Sequence, residues 1–130
     1  MAYGQRSHKR RSGTPEPTTH GAIFDVPAVA TGMRREDAYL REGHTARTLV
    51  REPDLRIVLV AMKAGARIAE HRANETAAIH TISGHLRLHL PDEVADLPAG
   101  RLLVVERGRR HDVEAVDESA FLLTLGWQMK

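Results

Sequence analysis

Cysteine is absent from these 130 residues, which removes disulfides, thiolate metal sites and cysteine nucleophiles together and fits a reducing compartment. Any metal would have to be held by imidazole, carboxylate or water. Aromatic residues make up only 4%, which leaves few stacking platforms for single-stranded nucleic acid, and no helix-turn-helix pattern takes their place. No run approaches the roughly 18 apolar residues needed to cross a bilayer. The opening MAYGQRSHKRRSGTPEP also lacks the apolar stretch of a secretory signal. The expectation is a cytoplasmic protein with neither a membrane nor a nucleic-acid partner.

What is present fits one small domain, since domains commonly run to about 100–150 residues. Hydrophobic residues at 42% and charged residues at 28% are globular proportions. The net charge of +2 is unevenly placed. Residues 1–20 hold Arg6, Lys9, Arg10 and Arg11 against Glu16 alone, which is +3 and leaves the rest of the chain at −1. With Gly4, Gly13, Pro15 and Pro17 interspersed, residues 1–20 read as a basic, disordered tail.

Residues 21–47 form a lead-in. GAIFDVPAVATG mixes apolar residues with Gly21, Pro27 and Gly32 and predicts an extended segment. MRREDAYLRE predicts one or two helical turns ended by Gly43. From Thr48 onward, short apolar or alternating runs stand between Gly, Pro and Asp. They cover residues 48–50, 55–62, 76–82, 85–90, 94–97, 102–105, 111–116 and 120–125. In HLRLHL, Leu86, Leu88 and Leu90 share one face while His85, Arg87 and His89 share the other. About eight short strands with this much apolar surface require a sandwich or closed barrel, because an open sheet would leave faces and edges uncovered.

Two segments carry a family resemblance. GARIAEHRANETAAIHTISG resembles the first cupin motif, G-x5-H-x-H-x3-4-E-x6-G, with Gly65, His71 and Gly84 in matching places. GRLLVVERGRRHDVEA resembles the second motif, G-x5-P-x-G-x2-H-x3-N, through Gly100, Gly108 and His111. The likeness spans about residues 65–115 and implies an all-β fold, a cupin-type double-stranded β-helix or jelly-roll barrel, over residues 48–130. It also implies an interior site for a small molecule. Two of the family's four customary ligands are replaced: the second histidine by Ala73, and the glutamate by Ala77, or by Ala78 if the loop is one residue longer.

Imidazoles and a carboxylate on adjacent strands suit a first-row divalent metal with open positions for substrate. Here the resemblance leaves His71 and His111 as metal ligands, so Zn, Fe, Mn or Ni would be weakly held or absent. His80 lies on the face opposite Ala77 and shared with Ala78, so whether it joins the site as a third ligand depends on the loop count. His85 and His89 are expected at the surface, His44 near a helix end, and Glu70 and Glu75 in solvated loops. The leading expectation is a small cupin that binds a small molecule at His71, His80 and His111. The alternatives are a metal-dependent dioxygenase or isomerase, and a metal-free site with one imidazole as general base. A homodimer is expected through the apolar lead-in Ala22, Ile23, Phe24 and Val26, with Trp127 and Phe121 closing the core or that interface.

Overall fold

The structure is a computed structural model that describes residues 14–72 and 74–126, with the backbone alone at 70–72. The basic segment Met1–Gly13, Ala73 and Trp127 lie outside the described residues. A two-residue ladder joins β1 (Glu16–Pro17) to β2 (Ala22–Ile23). Two helices follow, α1 (Val26–Met33) and α2 (Asp37–Glu42). The barrel strands are β3 (His44–Glu52), β4 (Leu55–Met62), β5 (Arg67–Arg72), β6 (Ala77–Ser83), β7 (His85–Leu90), β8 (Glu93–Pro98), β9 (Leu102–Val105), β10 (Arg110–Ala115) and β11 (Ser119–Leu125).

They form a four-stranded sheet, β5-β10-β7-β8, and a five-stranded sheet, β3-β4-β11-β6-β9, with every pairing antiparallel. This is the jelly-roll order, in which consecutive strands repeatedly cross from one sheet to the other. The inner faces close on hydrocarbon: Val60, Met62, Ile79, Leu86, Leu88 and Phe121 lie within one buried cluster. Among the described residues, no helix is long and apolar enough to cross a membrane.

The stretch expected to be extended contains α1 instead. Asp25 caps it, its Oδ1 accepting from the Ala28 amide at 3.2 Å, and Pro27 sits in the first turn, where its missing N–H costs nothing. The helix buries Val29, Ala30 and Met33 against Leu59, Ala61 and Ala120 on the outer face of the five-stranded sheet. α2 ends at Gly43, whose φ of 88° is left-handed and whose amide donates to the Tyr39 carbonyl.

The motif glycines mark turns. Gly84 has φ 81°, and a Cβ there would meet the Glu118 carbonyl and Ser119, so the crossing from β6 to β7 admits no side chain. Left-handed backbone recurs at Gly65, Gly100 and Gly108.

Candidate functional site

β10 fixes the central residue. His111, Val113 and Ala115 are buried in alternation while Asp112 and Glu114 turn outward. The His111 residue is 2% exposed, and its Nδ1 lies 3.3 Å from the carbonyl oxygen of Arg109. A carbonyl only accepts, so Nδ1 carries the hydrogen in that contact. The Arg109 guanidinium donates to Asp92 Oδ1 at 3.0 Å and lies 3.8 Å from Glu106.

His71 stands directly opposite His111 in the antiparallel register of β5 and β10, and Ile68 stands opposite Val113. Between these pairs β10 contributes one residue and β5 two, Ala69 and Glu70, which is a β-bulge. Simple alternation from Ile68 would assign position 71 to the outer face. The extra residue reverses the parity and returns position 71 to the row of Ile68 and His111.

Ala77 is buried on the inner face of β6, paired with Val105 and Leu125. Counting back from Gly84 also gives 77 as the glutamate position of the motif, so alanine stands there and not at a displaced 78. The consequence for His80 is a correction: with Ala77 and Ile79 inside, alternation places His80 on the outer face, between Leu102 of β9 and Leu122 of β11. The strand period of two forbids its joining the inner row. The structure therefore brings positions 71 and 111 together and leaves His80 out.

His85 and His89 are also outside the barrel. His85 pairs with Asp96, and His89 Nε2 lies 2.9 Å from Glu114, both on the outer face of the four-stranded sheet. The bond from His85 holds the Asp96 carboxyl below its ordinary range, and the bond from His89 does the same for Glu114. His44 opens β3 opposite Met62. Glu75 borders a shallow hollow beside the β3–β4 turn.

Sequence reasoning missed Arg109, which holds the His111 ring through its carbonyl and lines the adjacent opening. That opening is a hollow of about 160 Å³ between the sheets, walled by Leu90, Leu103 and Val105 and rimmed by Glu93, Glu106 and Arg109. His111 is not among the lining residues; Arg109, which lines the hollow and whose carbonyl meets the His111 ring, links the two. The signal was present as Arg107, Arg109 and Arg110 clustered around the turn before His111.

The Cupin domain family profile matches residues 58–125, more than half of the chain. This chain is a cupin. Among solved structures, the cupin resembles a cupin superfamily protein from Desulfitobacterium hafniense, with a TM-score of 0.70 at 14% identity over 92% of this chain and 99% of that one. A conserved protein of unknown function from Streptococcus pyogenes gives 0.63 at 24% identity, covering 69% of this cupin and 79% of that chain. KdgF from Halomonas sp. gives 0.61 at 21% identity, covering 69% and 85%. At such identities the likeness establishes the barrel and carries no chemistry with it. No curated protein matches the sequence.

Metals are common in this fold family, and of its customary ligand positions this chain keeps the histidines at 71 and 111. Among the described residues no three His, Asp or Glu side chains converge, and the sequence places alanine at motif positions 73 and 77. A first-row divalent ion would find two imidazoles at most, where family sites offer four protein donors.

Proposed function

We propose that this cupin binds a small molecule in the opening beside His111, with His71 contributing from the facing strand and no tightly held metal. The carrying observation is the His111 ring itself, buried on the inner face with Nδ1 against the carbonyl of Arg109, a residue that also lines the hollow. An imidazole can exchange a hydrogen bond, or a proton, with an O–H or N–H of a ligand. Leu90, Leu103 and Val105 supply the apolar wall against which the ligand body packs. A hollow of about 160 Å³ that opens to solvent suits a compact ligand. The cysteine-free composition favours the cytoplasm as its place of work. The metal-dependent enzyme reading has less support, because half of its ligand set is alanine.

Thermal-shift screening of small hydroxy, keto and amide compounds tests the proposal, with elemental analysis of the purified protein alongside. The expected result is stabilisation that EDTA leaves intact and that His111→Gln abolishes; ligand at 100 times Kd adds about 2.7 kcal/mol. Stoichiometric transition metal in the purified protein, or ligand shifts that survive His111→Gln, would sink it.

A further inference from the structure

A second hollow, of about 660 Å³, lies outside the barrel between the lead-in ladder and the β3–β4 hairpin. Pockets for small molecules commonly measure about 300–1,000 Å³, so this one is large enough for a ligand with a substantial body. Phe24, Leu49, Val50 and Leu55 supply its apolar wall, and His20, Arg51 and Glu52 its polar lining. The ladder on its far side leaves all four residues of β1 and β2 exposed, and so short a ladder is barely stable unless something packs on it. Charge at the hairpin is unbalanced as well. Arg51 and Arg56 are exposed and stand directly opposite each other in the antiparallel register of β3 and β4, where like charges repel. Arg47, Arg67 and Arg87, also on strands, each have a carboxylate: Glu36, Asp112 and Asp96. Among the described residues no carboxylate, Glu52 included, pairs with Arg51 or Arg56.

We infer that this hollow binds an acid with an apolar body, its hydrocarbon lying on Phe24, Leu49 and Leu55 and its carboxylate held between the Arg51 and Arg56 guanidiniums. Residues directly opposite on antiparallel strands have Cβ atoms about 4.5–5.5 Å apart, so two long side chains reach one carboxylate. The carboxylate accepts charge-assisted hydrogen bonds from both. Binding thereby removes the repulsion that the pair carries in the free protein. A neutral ligand would leave the two cations facing each other, and a cationic one would add a third. Glu52 is the one carboxylate of the lining and is outnumbered by the two guanidiniums. The bound hydrocarbon would also give the β1–β2 ladder a surface to pack on, tying residues 16–23 to the barrel. This hollow shares no residue with the opening beside His111, so the inference stands apart from the function proposed for that opening.

Titration calorimetry of the full-length protein with octanoate tests the inference, with octanol and octylamine as the neutral and cationic counterparts and circular dichroism confirming that each variant is folded. Octanoate is expected to bind about tenfold more tightly than either counterpart, with an affinity that falls as salt rises. Arg51→Gln and Arg56→Gln, both at exposed positions, should each weaken it about tenfold. His111→Gln should leave it unchanged to within about twofold, since the two sites share no partner. Absence of octanoate binding below about 1 mM, octanol binding as tightly as octanoate, or an affinity indifferent to both arginine substitutions overturns the inference. Loss of octanoate binding in His111→Gln overturns it too, by placing the acid inside the barrel. An affinity that rises in Trp127→Ser would assign the hollow to the chain's own C-terminal segment, and one that falls as protein concentration rises would assign it to a second copy; either result overturns the inference.

Discussion

The two sheets of this barrel share one hydrocarbon interior but finish their outer faces by opposite means. On the four-stranded sheet the outward positions are polar and matched: Arg67 with Asp112 at 2.9 Å, His89 with Glu114, and His85 and Arg87 with Asp96. On the five-stranded sheet the outward positions are mainly apolar, with Thr45, Arg47 and His80 among the polar exceptions. They are dry where the helices lie and wet where they do not, Leu59 being fully buried and Leu102 mostly exposed. One face is complete as a solvent surface, and the other is complete only if something covers it.

The sharpest way to break the relation between the sheets is at the turn that joins them. Gly84→Ala places a methyl group against the Glu118 backbone and forces an L-residue into left-handed φ. A loss of about 4 kcal/mol is expected from strain and overpacking together, read by urea denaturation. A cost under about 1 kcal/mol would mean that the crossing is looser than its geometry shows.

The second test separates the covered and bare halves of one face. Leu59→Ala empties a site beneath α1 and should cost about 3 kcal/mol. Leu102→Ala, on the same face two strands beyond β11, should change the stability of the monomer by less than about 0.5 kcal/mol. Equal losses in dilute protein would show that the bare half is packed after all.

The helix cover is held to the barrel by a polar clasp. The Tyr39 hydroxyl donates to Glu118 at 3.1 Å, and Arg34 lies 3.8 Å from the same carboxylate. Burial, reinforced by Glu118, raises the Tyr39 phenol above its ordinary value of 10.0. A raised acid contributes stability that is intact below pH 10 and lost as pH climbs through the folded value. Tyr39→Phe should therefore cost about 1 kcal/mol at neutral pH and flatten the alkaline limb of the stability curve. A variant that keeps the wild-type alkaline limb would assign that limb to another group.

Strand positions and motif glycines were legible in the sequence because each depends on a local rule, alternation for the strands and left-handed backbone for the glycines. The direction of single histidines was not. Position 71 falls in register opposite His111 only because of the bulge at 69 and 70, and a bulge is a property of two strands in register that one strand cannot declare. The direction of His80 depends on a one-residue loop count, which the burial of Ala77 on the inner face decides. α1 forms where Pro27 and Gly32 predict an extended segment because Asp25 followed by Pro27 is a helix-start signature that outweighs both breakers. Arg109 escaped notice because its contribution runs through a backbone carbonyl, which no side-chain motif reports.

The smallest expected effect lies on the finished face. Asp96 and Glu114 have carboxyl pKa values below 3.8 and 4.5, the ordinary values, chiefly because His85 and His89 hydrogen-bond to them. A depressed carboxylate contributes stability that is present above its unfolded pKa and lost as pH falls through the folded one. Solvent screens both groups, so each contribution is slight. Asp96→Asn with Glu114→Gln should thus be nearly silent in urea denaturation at pH 7, and the variant should lose less stability than wild type between pH 5 and pH 3. If the double variant instead unfolded far more readily at pH 7, the outer face of the four-stranded sheet would be a structural network and not a solvated surface, and the contrast between the two sheets would fail.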